Sequence, residues 1–518
     1  MFTRVLIANR GEIAVRIART CRALGIPSAA VFSDADRNAR HVAAADAALP
    51  IGPAPAVESY LSVGRIIDAA RAGGADAVHP GYGFLSEDPA LPAACADAGL
   101  TFIGPPADVI ARFGSKINAR RAAVGAGVEV VPGGEPDDQS AAGIAVVARR
   151  TGFPLILKPA AGGGGKGMVT VRAEDALEGG IAQARREALA TAGDGTLYVE
   201  RRLERPRHVE VQVVADRHGA VLHLGERDCS TQRRHQKVIE ESPAPGLSAG
   251  LRARLAAAAL DVTRHARYEN AGTVEFLIDG TRDDAGCYFL EMNTRLQVEH
   301  PITELVTGVD LVEAQLAIAA GRTLPWRAAE VAPRGHAIEC RICAEDPVAD
   351  YLPQAGTIIG YHEPSGPGIR VDSGVGPGSD VPVHYDSLLA KVAAAGRTRE
   401  QARRRAHAAL GELAVLGLQT NIGLLRRVLA HDAFVAGDVH TGFLPEHARA
   451  LLEVGPDEVT MAAAVAAASA ALAEHDGRTR AGNRSSAGAH PPAGTASHEG
   501  NDGVWSRLAG WRLGVADD

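Results

Sequence analysis

Across the first hundred residues, short β-branched runs alternate with helix-length segments, and no other feature narrows the fold as much. Val5–Ala8 reads as a strand, Gly11–Leu24 as a helix and Ser28–Phe32 as a strand. Helix Val57–Ala72, strand Ala77–His79, helix Ala90–Ala98 and strand Thr101–Ile103 follow. Strands joined through helices run parallel, so the pattern predicts a parallel α/β sheet. The loop His79-Pro-Gly-Tyr-Gly-Phe-Leu-Ser-Glu87 leaves the end of one strand, where sheets of this kind bind ligands.

Beyond Ser115 the pattern changes. Leu155–Lys158 and Val169–Arg172 read as strands around a glycine loop, and Leu197–Glu200 and His208–Ala215 as further strands. These suggest a small mobile lid, roughly Pro132–Leu203, set in a larger sheet domain that runs to about Gly321. Gly335–Leu444 forms another mixed unit. After Leu452, Met461–Ala473 reads as an alanine-rich helix and Asp476–Asp502 as a disordered linker, and the apolar Trp505–Leu513 could dock on something. With 518 residues the chain exceeds one core.

The net charge of −8 is dispersed, which argues against a nucleic-acid footprint. No signal segment or membrane-length apolar run is present, so a soluble cytoplasmic protein is expected, without membrane or nucleic-acid partners. The six cysteines are scattered, and Cys340-Arg-Ile-Cys343 lacks the second pair that a zinc site needs.

Of 54 basic residues only Lys116, Lys158, Lys166, Lys237 and Lys391 are lysine. An arginine bias this strong should spare lysine only where a compact ammonium cannot be replaced by a flat guanidinium. Lys158 and Lys166 bracket the run Gly162-Gly-Gly-Gly165, whose order costs about 1 kcal/mol per glycine relative to alanine. That cost is reasonable if backbone N–H groups close over phosphate. The spacing is not that of a P-loop, since Gly167 follows the lysine.

A second site follows from register. Gly272–Ile278 and Cys287–Met292 read as hairpin strands with a turn centred near Asp283, which sets Glu275 across from Glu291. Facing carboxylates roughly 5 Å apart repel each other, and a divalent cation such as Mg²⁺ removes the repulsion. A one-residue slip would destroy this pairing. With period two, Glu291, Asn293, Arg295, Gln297 and Glu299 would share one face of a continuing strand, as would His208, Glu210 and Gln212 on another. The cluster Glu226–Lys237 is dense enough in charge to hold a polyanion.

Several stretches together resemble the biotin carboxylase family, the ATP-grasp component of biotin-dependent carboxylases. They are Ile7-Ala-Asn-Arg-Gly-Glu-Ile13, the His79–Glu87 loop, the glycine loop, Arg227–Lys237, Glu291-Met-Asn-Thr-Arg-Leu-Gln-Val-Glu-His-Pro301 and Glu339-Cys-Arg341. The resemblance runs from residue 2 to about 446. It implies a Rossmann-like N-terminal domain (1–114), an ATP-grasp domain (115–321, lid about 132–203), a C-terminal mixed domain (335–446) and a tail (447–518).

By the same resemblance Lys116, Lys158, Gly164, Gly165, Met168, Glu200, Arg201, Arg202, Leu203, His208, Gln232 and His235 would contact ATP. Glu275, Glu291 and Asn293 would ligate Mg²⁺ or Mn²⁺. Lys237, Arg295, Gln297 and Val298 would bind bicarbonate, with Glu299 as the base and Arg341 facing the biotin ureido oxygen. Arg201 stands where some relatives carry lysine, and Cys343 where asparagine is common.

The activity implied is ATP-dependent carboxylation of biotin through carboxyphosphate, within an acetyl- or propionyl-CoA carboxylase type of complex. Glu299 would then need a pKa tuned upward. Implied partners are a biotin carboxyl carrier protein or domain, a carboxyltransferase subunit and a second copy of the chain in a homodimer. The sequence has no Ala-Met-Lys-Met segment and no lysine after Lys391, so biotin is expected on another polypeptide. Trp505–Leu513 resembles the opening of the family's linking domain, so the chain is also read as a truncated or split α-subunit. Two alternatives stand beside this reading: another ATP-grasp carboxylate ligase, and a non-catalytic nucleotide-binding subunit.

Overall fold

Five parallel strands form the first sheet, in the order Ala47–Pro50, Ser28–Phe32, Val5–Ile7, Ala77–His79, Thr101–Phe102. The computed structural model describes residues 1–160, 167–234 and 236–453. Gly164, Gly165, Lys166, His235 and the helix, linker and docking segment expected after Leu452 lie outside the described residues. Ala47–Pro50 escaped the strand reading because this half-exposed edge has no β-branched or aromatic residue. The helix expected from Val57 begins at Val63. The preceding residues instead turn Tyr60 into the core, where its hydroxyl donates to Asp36 Oδ2 at 2.6 Å.

The second sheet has eight antiparallel strands. Their order is Gly286–Asn293, Asn270–Asp279, Arg207–Ala215, Val221–Arg233, Gln236–Ser242, His336–Cys343, Leu388–Gly396, Ile369–Ser373. It continues without a break from the central part of the chain into the C-terminal part, because Gln236–Ser242 pairs with His336–Cys343. Met1–Leu451 accordingly packs as one unit.

On the strand Arg207–Ala215, Val209, Val211 and Val213 join a core with Phe276 of the neighbouring strand and Leu251, Leu255 and Val262 of helix Ala249–His265. The opposite face carries His208, Glu210 and Gln212, and these are buried too. A strand with one apolar and one polar buried face must pair every charge on the polar side.

A separate antiparallel sheet, in the order Gly133–Gly134, Leu197–Arg201, Leu155–Pro159, Val169–Val171, carries helices Ala141–Thr151 and Leu177–Ala192 and a core of its own. Gly167, after the glycine run, has φ +73°, a conformation that residues with a Cβ rarely adopt. Among the described residues no helix is long and apolar enough to cross a membrane.

Candidate active site

The hairpin brings Glu275 and Glu291 into direct cross-strand register. A regular hairpin would not have done so. Outward of the pair, Phe276 faces Phe289 and Asp279 faces Gly286, a register that would set Glu275 opposite Leu290. Leu290 is accommodated as a bulge, and this one extra residue brings Glu291 into place.

The two carboxylates have opposite surroundings. Glu275 accepts from Lys237 Nζ (2.8 Å), His208 Nε2 (2.7 Å), Asn293 Nδ2 (2.9 Å) and Gln297 Nε2 (3.1 Å). Burial pushes Glu275 up, but Lys237 and His208 hold it well below the usual carboxylate range. Burial would also lower His208, yet contact with Glu275 raises it. Glu291 is pushed up by burial first and then by the charges of Glu275 and Glu87. A divalent cation fits here, because Lys116 and His208 only partly offset the charge of Glu291. Asn293 Oδ1 accepts from Arg295 at 2.8 Å, which leaves its second lone pair for a cation.

The strand pattern expected beyond Glu291 ends at Asn293. Residues 294–299 form an irregular segment leading into helix His300–Thr307, because Glu299 turns at φ −80°, ψ 11° to start that helix. The polar groups still converge, through contacts rather than alternation. Arg295 donates to Gln297 Oε1 (3.0 Å) and to Glu87 Oε2 (2.9 Å) of the His79–Glu87 loop.

Lys237 stands at the centre. Its ammonium donates to Glu210 (2.5 Å), Glu275 (2.8 Å) and Glu299 (2.6 Å), which uses all three of its protons. His208, Glu210 and Glu275 each bring a ligand atom within 4.8 Å of the others, and so do Glu210, Cys229 and Glu299. The ammonium already supplies the positive charge these two clusters want. Arg227, fully buried, donates to Glu210 Oε1 (2.5 Å), Gln212 Oε1 (2.8 Å), Thr303 Oγ1 (2.8 Å) and Thr273 Oγ1 (3.1 Å), and so fixes Glu210 from behind.

Glu299 has no exposed surface and also accepts from Arg341 at 3.0 Å. The expectation that its pKa is raised does not hold. Burial does push it up, but Lys237, Arg341 and Arg227 hold it well below the usual range. Arg341 Nε in turn donates to Glu240 at 2.5 Å. Glu240 is the cross-strand partner of Glu339, and both are buried. Burial pushes Glu240 up to about 7, against the pull of Arg341, and Glu339 well above its ordinary value.

This pair makes a pH prediction. A carboxylate raised on folding stabilises the native state below its unfolded pKa and loses that contribution as pH rises through its folded value. Glu240 should therefore weaken the fold between pH 4.5 and 7, by about 3 kcal/mol for a shift of this size. Glu240→Gln should flatten the fall in melting temperature between pH 5 and pH 8, measured by calorimetry. An unchanged slope would show that Glu240 is ionised throughout.

On the small sheet, Lys158 is paired with Glu200, which also accepts from Arg120 at 3.1 Å. Lys116, at the start of helix Lys116–Gly125, is lowered by burial, against the attraction of Glu291 and Glu200. It borders a cleft of about 300 Å³ with Arg120 and Tyr198. Arg201 is exposed, and Met168, Arg202 and Leu203 are half-buried. Gln232 is buried and opposite Lys237 in register. Val298 contributes its carbonyl to Lys391.

Sequence reasoning missed Glu240 and Arg227 as members of this site. Glu240 is three residues from Lys237, out of phase for a strand, and only a bulge at Val238 brings the two into phase. Arg227 lay inside the charged cluster with nothing to mark it as the buried one.

Three family models match the chain: biotin carboxylase N-terminal domain over residues 1–110, carbamoyl-phosphate synthase L chain ATP binding domain over 115–327, and biotin carboxylase C-terminal domain over 339–446. A biotin carboxylase of Halalkalibacterium halodurans is 48% identical over 450 residues, covering 86% of this chain and 98% of that protein. The mitochondrial methylcrotonoyl-CoA carboxylase subunit alpha of Glycine max is 47% identical over 90% of this chain, which spans only 63% of that longer protein. Among solved structures, the biotin carboxylase domain dimer of Hydrogenobacter thermophilus 2-oxoglutarate carboxylase, in complex with MgADP, ADP and bicarbonate, superposes with a TM-score of 0.83. It is 40% identical and covers 88% of this chain and all of that one. The chain belongs to the biotin carboxylase family.

Proposed function

We propose that this chain uses ATP and bicarbonate to carboxylate biotin held on a carrier protein or domain, and hands it to a carboxyltransferase subunit within a biotin-dependent carboxylase. The observation that carries the reading is the ammonium of Lys237 shared among Glu210, Glu275 and Glu299, with Arg341 on the other oxygen of Glu299. It puts a focus of positive charge between a base and a pair of carboxylates suited to a divalent cation.

Lys237, Arg295, Gln297 and the Val298 segment hold bicarbonate, while Lys116, Lys158, Glu200 and the strand end Arg201–Leu203 hold the nucleotide with Met168, His208 and Gln232. Gly164, Gly165 and His235 join that set by the family pattern. Glu275, Glu291 and Asn293 would hold Mg²⁺ or Mn²⁺, which when bound offsets charge on the transferring phosphoryl group. Residues 132–203 act as the lid. The segments 1–114, 115–321 and 335–446 are the working domains, and a second copy of the chain completes a homodimer.

Glu299 removes the bicarbonate proton, and the freed oxygen attacks the γ-phosphorus as ADP leaves. Carboxyphosphate breaks down to CO₂ and phosphate. Phosphate takes the N1′ proton of biotin, Arg341 stabilises the enolate oxygen, and N1′ attacks CO₂. The low pKa of Glu299 suits this order. It keeps the carboxylate ionised while the pocket waits, and an anion entering between Lys237 and Arg295 offsets the charge that holds it low. The base therefore strengthens as its substrate arrives.

The test is ADP release by the purified chain with Mg²⁺. Bicarbonate should be required, free biotin should raise the rate several-fold, and chelation of the metal should stop it. A rate indifferent to biotin would point to another ATP-grasp ligase.

A further inference from the structure

The site takes up Lys116, Lys158 and Lys237, but Lys391, the fourth described lysine, has no part in it. Lys391 lies on strand Leu388–Gly396 and is 1% exposed. Its Nζ donates to the Val298 carbonyl at 2.7 Å and to Glu12 Oε1 at 3.1 Å. It lies 5.9 Å from the ring of Tyr82, whose hydroxyl also donates to Glu12. Glu12 opens the first helix, Gly11–Ala23, and Tyr82 belongs to the His79–Glu87 loop. Across the sheet Lys391 is in register with Arg341 on one side and Asp372 on the other.

Three separate parts of the chain therefore meet on one ammonium. The carbonyl it holds lies between Gln297 and Glu299, on a segment with no strand or helix of its own to stiffen it. We infer that Lys391 is a positioning residue, which ties the Val298 carbonyl to the first helix and so fixes the segment that presents Gln297 and Glu299. The inference rests on the roles proposed above for those two residues. It also explains why the arginine bias spared this position. A point donor reaches a carbonyl and a carboxylate at once, whereas a guanidinium would bring two more N–H donors into a buried site, each needing an acceptor.

The test uses the full chain with Lys391→Met and, in case loss of the charge prevents folding, Lys391→Arg. Two quantities are read. Amide hydrogen exchange should quicken over residues 296–302 and stay unchanged in the five-stranded sheet. The kcat for bicarbonate-dependent ATP cleavage should fall about 10²-fold, the cost of an ångström-scale misplacement, with KM for ATP within about twofold of the original. Unchanged exchange over 296–302 in the folded variant would overturn the positioning role whatever the activity. Quickened exchange with kcat within twofold would overturn its importance to the reaction and leave the proposed function intact. If the original chain does not carboxylate biotin, the proposed function fails, and the exchange result alone still decides whether Lys391 holds the segment.

Discussion

Glu299→Gln is expected to lower bicarbonate-dependent ATP cleavage by about 10³-fold or more. General-base removal typically costs 10²–10⁴-fold. Here the amide also leaves Lys237 and Arg341 facing a neutral group where each now meets a carboxylate oxygen. Nucleotide affinity should hold, because Lys116, Lys158 and Glu200 are untouched. Steady-state ADP release with and without bicarbonate, beside nucleotide binding by calorimetry, separates the two effects. Wild-type turnover in this variant would remove Glu299 from the mechanism.

The stability of the same variant has a definite sign with pH. Glu299 is depressed on folding, so its contribution is present above the ordinary carboxylate value and is lost as pH falls through its folded pKa. The deficit of Glu299→Gln should therefore be largest near neutrality and shrink in acid.

Lys237→Met should be the more damaging change to the fold. It leaves Glu210, Glu275 and Glu299 buried without the cation that each contacts. Removing one partner of a buried ion pair costs about 3–5 kcal/mol. Some of this is recovered when the orphaned carboxylates take up protons, so the deficit should widen from pH 5 to pH 8. Denaturant melts at those two pH values check it. Lys237→Arg should keep more stability and still lose activity, because a planar fork cannot aim three donors at three carboxylates around one point. A Lys237→Met variant as stable as the original would mean that other groups already neutralise the three acids.

Much of the architecture was legible in the sequence because it rests on periodicity. Val5–Ile7, Ser28–Phe32 and Ala77–His79 are short buried runs between helices, and they form the parallel sheet that such runs imply. The Glu275–Glu291 opposition was legible as a distance from a turn, but for a partly wrong reason, since the bulge at Leu290 was not visible. The face expected from Glu291 to Glu299 failed as a strand and survived as a cluster. What drew it together was pairing of buried charge, a long-range effect that a local period cannot express.

Glu240 and Glu339 show the same limit. Their opposition comes from pairing between Gln236–Ser242 and His336–Cys343, strands about a hundred residues apart in the chain. The retention of lysine did carry long-range information. Lys158, Lys237 and Lys391 are each held by buried carboxylates, which is where an arginine-biased chain has most reason to keep an ammonium.

The bulge at Leu290 also sets where this hairpin can change length through evolution. Outboard of it, residues 280–285 are mostly solvent-facing and could gain or lose members without disturbing the acidic couple, since the kink isolates them from it. Inboard, the freedom runs one way. Deleting Leu290 would restore an unbroken ladder with Glu275 still facing Glu291, but adding a residue between there and Asn293 would swing an aliphatic group toward the face that carries the two carboxylates. Homologous chains should therefore vary in the tip and gain no residue in the stem between Leu290 and Asn293.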